Sequence, residues 1–239
     1  MATTVLLVLF GVVLVAALLQ TAAGFGFALL TMPIAVLLLG VRSAAPLIAL
    51  VGFTLYVINF VRYRGDLNRR TVLRLALPAI LGIPVGVWAL GNLPEDVVKA
   101  VLGVLLITYA LYALARPQAP PLRSDGWIYP VGFASGCLGG AFNTPGPPVI
   151  VFGSLQRWPR QEFRSVLQAV FLLNSTLVLV AHLGAGNLTR PVLLGWLTLA
   201  PAALLGVLLG SRLDRRLSGE GFRRFVVGMI FVLGVSLLL

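Results

Sequence analysis

Ten apolar runs succeed one another along this chain, and only short polar segments separate most of them. That repetition constrains the fold more than any motif does. A helix needs about 20 apolar residues to cross the hydrocarbon of a bilayer. Within hydrocarbon, only helices and closed barrels satisfy their own backbone. Hydrophobic residues make up 59% of the 239 and charged residues 10%, against about 25% charged in soluble domains. The expected fold is therefore an all-α polytopic membrane protein, with no hydrophilic stretch long enough for a separate soluble domain.

The runs are expected near 4–22, 25–40, 44–61, 72–91, 97–115, 128–141, 146–156, 164–183, 190–210 and 222–238. No Lys or Arg precedes the first, so it reads as a retained helix rather than a cleaved signal peptide. The basic residues mark sidedness. Loops after the third, fifth, seventh and ninth runs hold 15 of the 18, among them Arg62, Arg64, Arg116, Arg157, Arg212 and Arg216. The alternate loops hold only Arg42, Lys99 and Arg190. By the positive-inside rule the basic loops face the cytoplasm and both termini face outward. The same rule accounts for a net charge of +11 without nucleic acid, for which the chain has no basic soluble module.

The sixth and seventh runs are too short to span. About 14 and 11 residues rise roughly 21 and 17 Å, against a core of about 30 Å. Between them lies "GGAFNTPGPPV", Gly139–Val149, with three prolines and three glycines. Basic residues flank the pair on both sides, which predicts a re-entrant hairpin turning at Asn143–Pro148. A full crossing and return is the alternative. The first half holds a counterpart: "GFGFALLTMP", Gly24–Pro33, aligns with "GGAFNTPGPP", Gly139–Pro148, at a shift of 115. That shift also carries Asn59 onto Asn174, and a shift of 124 carries Gly82 and Gly86 onto Gly206 and Gly210. The expected organisation is two inverted repeats, each a broken or re-entrant helical hairpin followed by three transmembrane helices. The first repeat covers 1–115 and the second 128–239, with a cytoplasmic linker at 116–127.

Non-helical backbone survives at membrane depth only where protein buries it or where it lines a cavity. The broken stretches are therefore either packed hairpins or a binding site. Thr144 is a suitable N-cap and Pro145 a suitable first helical residue. The seventh helix would then point its positive dipole end at the protein centre and accept an anion there. Prolines supply no N–H, so only Gly146 and Val149 donate from that turn, and Asn143 and the Thr144 hydroxyl must add the rest. In the first half Gly24 and Gly26, with Phe25 between them, allow close approach to the backbone. The candidate substrate-binding set is Gln20, Thr21, Gly24, Phe25, Gly26, Gly139, Gly140, Asn143, Thr144, Gly146, Gln168 and Asn174. Small-residue packing and interhelical hydrogen bonding are the competing readings.

All seven acids lie in loops or at helix ends. A metal-cation or cationic-drug carrier would usually hold an intramembrane carboxylate, so neutral or anionic substrates remain. His182 and Cys137 read as structural, and one His with one Cys makes no ordinary zinc site. No catalytic constellation and no phosphate loop of the GxxxxGK[ST] type is visible. The expectation is a non-enzyme without metal or cofactor.

Taken in order, "GFGFALLTMP", "GCLGGAFNTPGPPV", "FRSVLQAVFLLNS" and "FRRFVVGMIFVLG" resemble the TauE/SafE sulfite exporter family of bacterial membrane permeases over essentially the whole chain. The resemblance implies a multi-pass protein of the bacterial inner membrane that moves sulfite, sulfoacetate or related organosulfonates. The expected function is a secondary transporter, an exporter, of such small anions by alternating access. Its partners are the anion and the lipid bilayer, with a homodimer left open. A non-transporting scaffold or assembly protein whose hairpins only pack is the alternative, and a channel is a third reading.

Overall fold

The structure, a computed structural model, describes residues 3–115, 124–213 and 220–239. Ten α-helices follow one another there: α1 (Thr3–Ala23), α2 (Phe27–Leu39), α3 (Val41–Tyr63), α4 (Arg69–Asn92), α5 (Glu95–Ala115), α6 (Ile128–Phe142), α7 (Gly146–Leu155), α8 (Arg160–Gly184), α9 (Arg190–Leu213) and α10 (Glu220–Ser236). No strand occurs among the described residues. Most of the expected linker, 116–123, lies outside them, as do Arg116, Arg215 and Arg216 of the basic loops.

Each boundary has a local cause. Gly40, at φ +74°, separates α2 from α3. The Asn68 side chain accepts from the Thr71 N–H at 3.1 Å and caps α4. Asn143, at φ 55°, ends α6 in the left-handed region. Six helices, α1, α3, α4, α5, α8 and α9, are long and apolar enough to cross a membrane. The second broken pair is as short as its sequence predicts, with 15 residues in α6 and 10 in α7. The first pair is unequal: α2 has 13 residues, whereas the 21 of α1 rise about 31 Å, because nothing interrupts that helix before Gly24.

The most extensive pairings are α4 with α6 and α1 with α9. Both are glycine seams. Gly132, Gly136 and Gly140 of α6 lie against the Leu75, Ala79 and Ile83 carbonyls of α4, where a Cβ would collide with them. Gly82 and Gly86 return the contact against Phe133 and Cys137, which seats Cys137 in the seam. Gly206 and Gly210 of α9 stand in the same relation to the Leu14 and Leu18 carbonyls of α1. Small residues let backbones approach closely, as helix association in lipid requires. At the centre α3 packs on α8, α3 also touching α9 and α4 and α8 also touching α4 and α6, and α5 packs on α10. Exchanging α1–α5 for α6–α10 turns the α1/α9 pairing into α6/α4 and leaves α3/α8 and α5/α10 in place.

The outer surface is apolar: Leu77, Leu81, Trp88 and Leu197 each expose at least 59% of their area, the inverse of a soluble protein. Polar contacts gather at two ends. Asn68 bonds Glu162, Arg62 donates to the Ser211 carbonyl and Arg74 pairs with Asp125 at one end. Glu95 with Lys99, and Arg42 with the Gly91 carbonyl, stand at the other.

Candidate functional site

Between α1 and α2 the chain passes through Gly24 at φ +90° and Gly26 at φ +113°, conformations that side chains with a Cβ rarely adopt. Gln20, in the last turn of α1 and fully buried, holds the break together. Its Oε1 accepts from the Phe27 N–H at 3.0 Å, and its Nε2 donates to the Gly24 carbonyl at 3.3 Å. Gln168 of α8 donates to the same carbonyl at 2.8 Å. Two side-chain amides thus replace the helical bonds that the break removes. The last carbonyls of α1 are also paired. The Tyr63 hydroxyl donates to Thr21 at 3.0 Å and the Arg164 guanidinium to Ala22 at 2.7 Å, a cation at a helix C-terminus.

The break between α6 and α7 is built differently. Asn143 returns its N–H to the Gly139 carbonyl at 2.9 Å, and Thr144 sends its own to Leu138 at 3.3 Å. The Asn143 side chain donates across to the Ala45 carbonyl of α3 at 2.8 Å, and the Ser135 hydroxyl to Pro145 at 2.8 Å. The expected N-cap is displaced by one residue. Pro145 stands at the N-cap, and α7 begins at Gly146. The Thr144 hydroxyl turns back to the Leu138 carbonyl at 3.5 Å, because the left-handed Asn143 directs the chain toward the end of α6.

The two breaks meet. A cavity of about 10 Å³ lies between them, lined by Gln20, Phe25, Gly26, Ala28 and Leu29 from one side and Asn143, Thr144, Pro145, Gly146 and Pro147 from the other. Tyr56 of α3, Ile150 of α7 and Phe171 of α8 complete its wall. Six of the sequence candidates, Gln20, Phe25, Gly26, Asn143, Thr144 and Gly146, therefore share one cavity. A second cavity of about 10 Å³ adjoins it, lined by Asn143, Asn174, Ser175 and again Tyr56.

The other candidates lie elsewhere. Gly24 and Gln168 form the tie behind the first break. Thr21 bonds the Ala17 carbonyl at 2.9 Å and packs on Gly210. Gly139 makes room for the Asn174 amide, and Gly140 for the α4 backbone. His182 pairs with Asn187 at 3.0 Å near the end of α8. Seven lining residues are absent from the sequence candidates, Tyr56 and Phe171 among them. The available signal for Tyr56 is a phenol in the middle of an otherwise apolar run, three residues before Asn59.

The cavity's chemistry is that of donors without acids. No Asp or Glu lines it, and among the described residues no group of three or more His, Cys, Asp or Glu is placed to hold a metal. The N-terminal turns of α2 and α7 both open on it. In α2 the amides of Ala28 and Leu29 have no acceptor within the helix, and Phe27's is taken by Gln20. In α7 Pro147 and Pro148 carry no N–H, which leaves Gly146. Amides and positive dipole ends converging on one small space bind anions.

The family described as sulfite exporter TauE/SafE matches residues 9–237. A relative from Comamonas testosteroni, named a probable inner membrane transporter protein TsaS, is 31% identical over 182 residues, 72% of this chain and 75% of the relative. Another, from Cupriavidus necator and named a probable sulfite/organosulfonate exporter TauE, is 28% identical over 227 residues, 92% of this chain and 88% of the relative. No solved structure matches the chain.

Proposed function

The chain belongs to the TauE/SafE sulfite exporter family, and from that premise we propose that it carries small sulfur oxyanions, sulfite or an organosulfonate, out of the cell across the bacterial inner membrane. The convergence of the α2 and α7 N-termini on one cavity without acids is the observation that carries this reading. Each helix end contributes about 0.3–2 kcal/mol toward an anion, and each hydrogen bond to a charged ligand about 1.5–3 kcal/mol. Three or four such donors reach the roughly 8 kcal/mol of micromolar affinity, before the cost of immobilising the ligand. Ala28, Leu29 and Gly146 amides and the Thr144 hydroxyl are those donors, while Gln20 and Asn143 hold the turns that aim them.

At about 10 Å³ the cavity is near the minimum for one water. An oxyanion enters as the two short helices part. In our reading residues 1–115 and 128–239 form two inverted halves, and alternating access is the rocking of one against the other. The similar roles of the two glycine seams support that division. The arginine asymmetry and the grouping of polar contacts at two ends support an orientation with Arg62 and Arg74 inside. With Cys137 replaced, a cysteine at Gly65 should be shielded from impermeant thiol reagents in intact cells and one at Ala185 labelled; the reverse pattern would invert the protein.

Flux tests the function itself. Purified protein in liposomes should move radiolabelled sulfite or a small sulfonate, and excess sulfite should raise its melting temperature in detergent. Folded protein that does neither would leave the hairpins as packing alone.

A further inference from the structure

Tyr56 is one of five residues that line both cavities, with Ala28, Asn143, Pro145 and Phe171. Its ring lies on Phe171 with centroids 5.2 Å apart and meets Phe27 edge-on at 6.3 Å. Gly52, one turn earlier on α3, makes room for it, since a Cβ there would stand 3.2 Å from the ring. On one side is the cavity between the breaks; on the other is the cavity of Asn174 and Ser175. The Tyr56–Phe171 pair is therefore a partition. Tyr56 is 4% exposed, and among the described residues its hydroxyl makes no hydrogen bond; the oxygen is not sealed among protein atoms as the Asn174 Nδ2 is.

A hydroxyl that no protein group answers adds little to folding, and a phenylalanine of the same shape would serve the packing as well. The side chain that carries this spare donor lines both cavities. Across the partition the Asn174 Nδ2 is a buried donor without a partner. Phenol and amide N–H groups are the donors that an oxyanion accepts from without any proton transfer.

We propose that Tyr56 is a substrate-binding residue of this carrier: its hydroxyl donates to the oxyanion in the cavity between the breaks, and donates to it again in a second subsite beside Asn174 once the partition has moved. The proposal rests on the anion-carrier reading above and adds to it a residue, a subsite and an order of occupancy. Phe171 thins or closes the wall, and Gly52 gives the Tyr56 ring its place.

The test uses the full-length protein in detergent, with sulfite and methanesulfonate as probes. Tyr56→Phe should melt at or above the wild-type temperature without anion, because only an unpaired hydroxyl is lost. Its dissociation constant for sulfite by calorimetry should rise by about 10- to 100-fold, the weight of one hydrogen bond to a charged ligand. Wild-type affinity in Tyr56→Phe, with wild-type protein binding sulfite, overturns this proposal and leaves the anion reading standing. Wild-type protein that gains stability from neither probe overturns both. Phe171→Leu keeps the hydroxyl and thins the wall, and should exchange sulfite faster in liposomes; an unchanged or slower exchange overturns the partition.

Discussion

At Gly24–Gly26 the chain reverses through two positive-φ glycines, and at Asn143–Pro145 through a left-handed asparagine, a threonine and a proline. The first break owes its shape to side chains that come to it: Gln20 from the helix before and Gln168 from α8. The second owes its shape to its own residues, with Asn143 reaching out to α3 and the prolines fixing the start of α7. Their donors differ accordingly. The turn that opens α2 offers backbone N–H groups, whereas the turn that opens α7 is largely a wall carrying the Thr144 hydroxyl. Two helix ends opening on one cavity need not be chemical copies; here one presents mostly amides, and the other mostly prolines with the Gly146 amide and the Thr144 hydroxyl.

Paired substitutions break that comparison most severely at the residues that the shift of 115 aligns. Gly139→Ala would place a methyl on the Asn174 amide, and overpacking costs about 1–3 kcal/mol or more. Gly24→Ala would stand 3.4 Å from Arg164 Cγ, so its cost is backbone strain of about 1–2 kcal/mol. Melting in detergent should fall further for Gly139→Ala, and the reverse order would contradict the packing given for the two glycines. Next in size, Gln20→Leu leaves the Phe27 N–H unpaired, at about 1–3 kcal/mol. Asn143→Gly keeps the left-handed turn and loses one neutral hydrogen bond, about 0.5–1.5 kcal/mol. Equal losses from those two would show that the breaks are held alike. Smallest of all, Thr144→Val should change stability without ligand by no more than about 0.5 kcal/mol, since its bond is 3.5 Å long. Its sulfite affinity should nonetheless fall, and an unaltered affinity would remove the hydroxyl from the site.

Hydropathy and breakers make much of this fold legible. Every apolar run corresponds to a helix, with ends displaced by a few residues, because run length and loop charge are local properties. Both breaks are visible for the same reason: Gly24, Gly26 and the prolines after Asn143 announce themselves by residue type. What is not legible is the partner. Nothing near Asn143 names Ala45, which is 98 positions away, and nothing near Gly24 names Gln168. Those pairings are chosen by tertiary packing. Thr144 is misread as a cap because the sequence does not reveal that Asn143 turns left-handed. Tyr56 is hidden by chemistry of its own: hydropathy groups it with the apolar residues, and only its place in the lining of two cavities sets it apart.

The α1/α9 seam has a consequence for biosynthesis. Leu14 and Gly206 meet across it, yet 192 positions of chain lie between them (206 − 14). At the roughly 5–20 residues per second of translation, α1 waits about 10–40 s for the groove that fits it. Through that interval its small-residue face must be covered by lipid, by the insertion machinery or by the wrong helix. The α4/α6 seam closes far sooner, with Gly86 and Cys137 only 51 positions apart (137 − 86). The α4/α6 seam can therefore form while α1 still lacks its largest partner, and a ribosome stalled before α9 releases a chain with one seam closed and the other open.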